Sequence, residues 1–177
     1  MSERPSRRAV IGAVVALPAA ALGLAACATR PPAPAVHRFR SVTIDAGPFA
    51  DKGVPAYAAR VADAARAAVA KAFAGRIDPG DRSAPALTIE IAGVSIPAWA
   101  GGGGGGDRKF GFGTDSPSDW MNGALVLRSP SGAVVDRRPH LSSKSPSGFW
   151  WDPNNEDSRM RDLAALYVWW AAKEYGD

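Results

Sequence analysis

The chain has 177 residues, one cysteine, two histidines and a formal charge of +4. That length suits one domain around one core once any leader is set aside. A lone cysteine excludes an internal disulfide framework, and neither histidine stands in a metal-ligand spacing, so metal and cofactor chemistry have no sequence support.

The first eight residues, MSERPSRR, are polar and carry Arg4, Arg7 and Arg8; residues 9–26 are apolar; Cys27 follows. A charged start, an apolar run and small residues before a cut site predict a secretory signal over 1–26. The run falls short of the roughly 20 residues a membrane-spanning helix needs, contains Pro18 and leads into a proline-rich spacer. Removing Glu3, Arg4, Arg7 and Arg8 with the signal lowers the formal charge from +4 to +2. The basic character therefore belongs partly to the leader, and no face of the remaining chain reads as a nucleic-acid surface.

Leu24-Ala25-Ala26-Cys27 resembles a bacterial lipobox. The resemblance implies diacylglyceryl transfer to the Cys27 sulfur, cleavage before Cys27 and acylation of its new amino group. The reaction needs a thiolate, and a cysteine used in this way leaves no exposed thiol after export. Arg7-Arg8, followed by Val10 and Ile11, resembles a twin-arginine signal, which implies folding before export; the Sec route stays open. Ala28, rather than Asp, after the cysteine implies sorting to the periplasmic face of the outer membrane. Residues 27–36 are the expected lipidated N-terminus and tether, with ATRPPAPAV an extended Pro/Ala spacer at about 3.1 Å per residue. The domain is expected over 37–177.

Arg40, Val42 and Ile44 alternate with Ser41, Thr43 and Asp45, which predicts a first strand ended by Gly47 and Pro48. Residues 54–75 predict a helix: Tyr57, Val61, Ala65, Ala68, Val69, Ala72 and Phe73 recur at three- and four-residue steps. Pro55 suits its first turn, and Lys71 and Gly75 suit its end. A second strand follows, with Leu87, Ile89 and Ile91 on one face, Thr88 and Glu90 on the other, and a bulge expected at Gly93. The glycine run of 101–106 sits in a predicted loop over 99–115. It lacks the lysine, the Ser/Thr and the following helix of a phosphate loop. A hairpin is predicted from Gly123–Arg128 and Ala133–Arg138 around the SPSG turn, its first arm apolar on both faces and therefore central. His140 and the serines of LSSKSPSG fall in an expected loop. The last helix should begin near Asp152 or Asn155 and bury Met160, Leu163, Leu166, Tyr167, Trp170 and Ala171.

Strand, helix, strand, strand, strand, helix implies a mixed sheet of about four strands with both helices on one face, a two-layer α/β sandwich. The sheet's other face, with Thr43, Thr88 and Glu90, tolerates water, and its edges are open to a partner strand. This element order resembles that of the lipoprotein plugging the lipopolysaccharide translocon, of auxiliary lipoproteins of lipid-importing ABC transporters, and of other small envelope lipoproteins. No motif carries the resemblance, so no binding residue is transferred.

No nucleophile elbow or acid/base pair appears, and Glu156 and Asp157 read as helix-start charges. The unusual feature is aromatic. Trp150 and Trp151 in FWWDP, Trp169 of the Trp169-Trp170 pair, and Phe110 are the candidate contacts; core packing is the competing account of the tryptophans. The expectation is a non-enzymatic, membrane-anchored envelope lipoprotein that binds another envelope component. The alternative is a lipid- or glycan-binding module built on those aromatics.

Overall fold

A computed structural model describes residues 31–97, 118–147 and 152–176. Seven elements follow in chain order: β1 (Ser41–Asp45), α1 (Gly47–Ala50), α2 (Pro55–Ala72), β2 (Ala86–Ser95), β3 (Asp119–Arg128), β4 (Val134–Lys144) and α3 (Asn155–Glu174). The strands form one sheet in the order β1-β2-β3-β4. β1 lies parallel to β2, and the β2–β3 and β3–β4 pairs are antiparallel. α2 and α3 pack on each other, α2 against β1 and α3 against β3 and β4. The expected two-layer α/β arrangement is the one found.

The core lies between the layers because the apolar positions of each strand share its period of two. Leu87, Ile89 and Ile91 of β2 are fully buried and stand beside Met121, Leu125 and Leu127 of β3. Val61 and Ala65 of α2, and Leu163, Tyr167, Val168 and Ala171 of α3, cover them. Phe39, Phe73 and Tyr175 close one end with edge-on ring contacts.

The β2–β3 register shifts between Ile91 and Gly93, where the bulge was expected. Next to it the Tyr167 hydroxyl crosses from α3 and donates to the Glu90 carbonyl at 2.8 Å. The chain begins the domain beside the end of α3: the Val36 N–H donates to the Tyr175 carbonyl at 2.9 Å. Arg76 donates to the carbonyls of Val36 (2.6 Å), Ala172 (2.8 Å) and Tyr175 (3.0 Å), which places a cation on the negative end of the helix. Its guanidinium lies over the Phe39 and Phe73 rings.

Four expectations change. The hairpin is longer than predicted: β3 starts at Asp119 and β4 runs to Lys144, so His140, Ser142 and Ser143 lie in a strand rather than a loop. Pairing of Met121 with Ser142 buries both, and this overrides the weak strand preference of the serines. α1 was not expected. It is a single turn with Pro48 at its start, and the Asp45 carboxylate accepts from the Gly47 N–H at 2.8 Å. Four residues are too few to display a 3.6-residue period. At the start of α3, Asn154 holds the cap position and makes no side-chain cap. Asp152 instead accepts from the Asn154 N–H at 2.9 Å.

The fourth change is the face that α3 buries. Trp170 was expected inside and is 49% exposed, and Leu166 is only half-buried. Ala164, Val168, Ala172 and Tyr175 are buried instead. At 100° per residue, this rotates the buried stripe by about 70° from the one read by hydrophobicity. Alanines let the helix approach the sheet, and two adjacent indoles do not fit the same space.

His140, expected on a solvated loop, is half-buried beneath α3. Its Nε2 donates to the Tyr167 carbonyl at 2.9 Å, and its ring lies 4.4 Å from the Tyr167 ring. Burial holds its pKa below the ordinary value, against the opposing pull of that hydrogen bond and of Glu174. The unfolded chain therefore binds a proton at higher pH than the folded one, and stability falls as pH drops below about 6.5. Urea midpoints measured between about pH 7.5 and pH 5.5 should decline, and His140→Gln should flatten that decline. An equally steep decline in the variant would remove His140 as its source.

Candidate functional site

Two surfaces of the described structure carry large apolar side chains in contact with water. The first is on the helix layer. Trp169 and Trp170 are 44% and 49% exposed, their ring centroids 4.7 Å apart and nearly perpendicular. Lys173 lies one helical turn on, its ammonium 5.7 Å from the Trp169 ring centroid. Beside them runs a groove of about 770 Å³ between α2 and α3. Ala67, Ala68, Ala72, Ala165 and Leu166 floor it, Trp169 walls it, and Lys71 and the Lys144–Asp162 ion pair stand at its rim. Alanine-rich faces on both helices make the groove shallow, and long side chains on either would fill it.

The second surface is the sheet face that the helices leave open. Register places Trp120, Asn122, Ala124 and Val126 of β3 there, with Arg137, Pro139 and Leu141 of β4. Trp120 is 40% exposed and Leu141 is 66% exposed. They are diagonal neighbours, since Trp120 pairs with Ser143 and Leu141 stands two residues before it. At the centre of the face Arg137 grips Glu90 with two bonds of 3.0 and 2.6 Å. Thr43 bonds Thr88 at 3.3 Å, so the face is wet where it was expected to be. The β4 edge carries Pro139 and flanking charges, which discourage strand addition.

Of the residues singled out in the sequence, Trp169 is on the exposed face of α3, clear of the core. Arg7, Arg8, Leu24, Ala25, Ala26, Cys27, Phe110, Trp150 and Trp151 lie outside the described residues. Pro97, Ser118, Ser147 and Asp152, which flank Phe110 and the two tryptophans in sequence, are at the end of the domain where β2 and β4 stop and α3 begins. From Asn155 to Trp169 the helix rises about 21 Å. The described aromatic neighbour of Trp169 is Trp170. Trp120 and Leu141 were not singled out. Each stands alone in its local sequence, and only strand pairing brings them together.

The buried charged groups among the described residues are paired. Arg159 is 4% exposed and Asp119 is 1% exposed. Arg159 Nε donates to Asp119 Oδ2 at 3.0 Å, and Nη2 donates to Asp119 Oδ1 and, at 3.0 Å, to the Pro97 carbonyl. Arg138 joins Asp136 and Glu174, and the Tyr175 hydroxyl donates to Asp136. Burial pushes up the hydroxyls of Tyr57, Tyr167 and Tyr175, away from the ionised form a nucleophile or base would need. Among the described residues no three His, Cys, Asp or Glu side chains gather as a metal site. Nor is any described helix long and apolar enough to cross a membrane.

No protein-family model matches the chain, and no curated protein matches it. Among the solved structures similar in outline are two PelC dodecamers from Paraburkholderia phytofirmans. A single-substitution form of PelC, in space group C2, has 11% identity and a TM-score of 0.45, over 82% of this chain and 95% of that one. The PelC dodecamer in space group P6 has 11% identity and a TM-score of 0.44, over 82% of this chain and 94% of that one.

Proposed function

We propose that the chain is a non-enzymatic cell-envelope lipoprotein, anchored through an acylated Cys27 at the periplasmic face of the outer membrane, whose domain binds another envelope protein. The anchor rests on Leu24-Ala25-Ala26-Cys27 standing directly after a charged start and an apolar run. Binding rests on one observation: the open sheet face presents Trp120 and Leu141 side by side, the kind of apolar exposure that marks an interaction surface. Arg137 and Glu90 on the same face supply polar contacts around it.

The test places a photo-crosslinking amino acid at position 141 in cells that make the protein. A discrete adduct with one envelope protein, reduced by Trp120→Ala and lost in the unanchored Cys27→Ser form, is the expected result. Crosslinking that Trp120→Ala leaves unchanged would remove the sheet face as the binding surface. The exposed Trp169–Trp170 pair favours a second reading, contact with lipid or glycan, and its position along the chain separates the two.

A further inference from the structure

We infer that Trp169, Trp170 and Lys173 form a membrane-interface contact that orients the domain on the lipid surface to which it is anchored; this rests on acylation of Cys27. Three observations support it.

The first is the distance available. Ala33 and Val36 already pack against the core, so the domain begins within the expected tether. At most five residues, 28–32, separate Cys27 from Ala33, and even extended they reach no more than about 16 Å.

The second is where the chain arrives. Val36 is hydrogen-bonded to Tyr175, and Arg76 ties both to the last turn of α3. From Tyr175 back to Trp170 the helix rises about 8 Å. The exposed indoles therefore stand on the side of the domain that a short anchor holds nearest the bilayer. The end from which the 98–117 and 148–151 segments leave is held away from it.

The third is chemistry. An indole has an apolar body and one N–H donor, and suits the boundary between acyl chains and headgroups. Lys71 and Lys173 flank Trp169 and match anionic headgroups. Among the described residues here, Asp78 is paired with Arg38, and Asp136 and Glu174 with Arg138. The neighbouring ends of α2 and α3, which together bear two aromatics and two lysines, would supply beside a covalent lipid the second signal that makes a membrane attachment directional.

The experiment uses the full mature protein purified from membranes and reconstituted into phosphatidylethanolamine/phosphatidylglycerol vesicles. Part of the lipid is brominated near the headgroup to quench nearby tryptophans. Wild type should be quenched, and Trp169→Phe/Trp170→Phe should lose at least about half of that quenching while floating equally well with the vesicles. Equal quenching in both proteins, or none in either, would overturn the inference and leave the anchored reading standing. So would a photo-crosslink from position 170 to a protein in place of lipid. Mass spectrometry of the N-terminal peptide separates the two claims, since an unacylated Cys27 in protein that fails to float sinks the anchored reading and this one with it.

Discussion

Gly123→Ala is expected to destabilise the domain by about 3 kcal/mol or more, enough to leave little folded protein. A Cβ at Gly123 would stand 1.9 Å from the Glu90 carbonyl oxygen, 2.7 Å from its carbon and 2.7 Å from the Tyr167 hydroxyl. The nearest atoms are backbone of β2, an interior strand that cannot retreat without breaking the pairing on both of its sides. Tyr167→Phe by itself should cost about 1–2 kcal/mol through the lost bond to the Glu90 carbonyl. Combining it with Gly123→Ala should not rescue the fold, because removing the hydroxyl relieves only the more distant clash. Urea unfolding of the three variants checks this. A Gly123→Ala protein within about 0.5 kcal/mol of wild type would show that the strands part more readily than this packing allows.

Asp119→Ala should cost about 3–5 kcal/mol, because it leaves the Arg159 guanidinium buried without its counter-charge. The pair joins the start of β3 to the first half of α3, and Arg159 also holds the Pro97 carbonyl just past β2. Three elements therefore loosen together. Replacing both partners, as Asp119→Leu with Arg159→Met, should recover much of the loss, since an apolar pair carries no desolvation penalty. The recovery should stop short of wild type because the Pro97 carbonyl loses its donor. Equal stabilities for the single and double variants in urea would mean that water reaches Arg159 and the charge is not buried in solution.

Much of the framework was legible locally. α2 announced itself through its three- and four-residue apolar steps and through Pro55, Lys71 and Gly75 at its ends. β2 did so through the alternation of Leu87, Ile89 and Ile91, and Gly93 marked the bulge. The central place of β3 followed from its two apolar faces. The candidate site was much less legible. Trp169 was left off the buried stripe and kept as a candidate contact, but Trp170 was placed inside. Apolarity ranks an indole above an alanine, whereas close packing of a helix on a sheet prefers the alanine. Trp120, Leu141 and the Asp119–Arg159 pair carried no local signal.

By itself the sequence determined the type and order of every element but the one-turn α1, and the sandwich they build, because helix and strand periods and turn residues act over a few neighbours. The proposed anchor, read from Leu24 to Cys27, rests on the same kind of local pattern. Only the tertiary structure decided how far β4 runs, which side of α3 faces the sheet, why Gly123 admits no side chain, and that the chain joins the domain beside Tyr175 at the end of α3. Each of these depends on how much space or charge a distant segment offers, and that quantity does not exist until the layers meet.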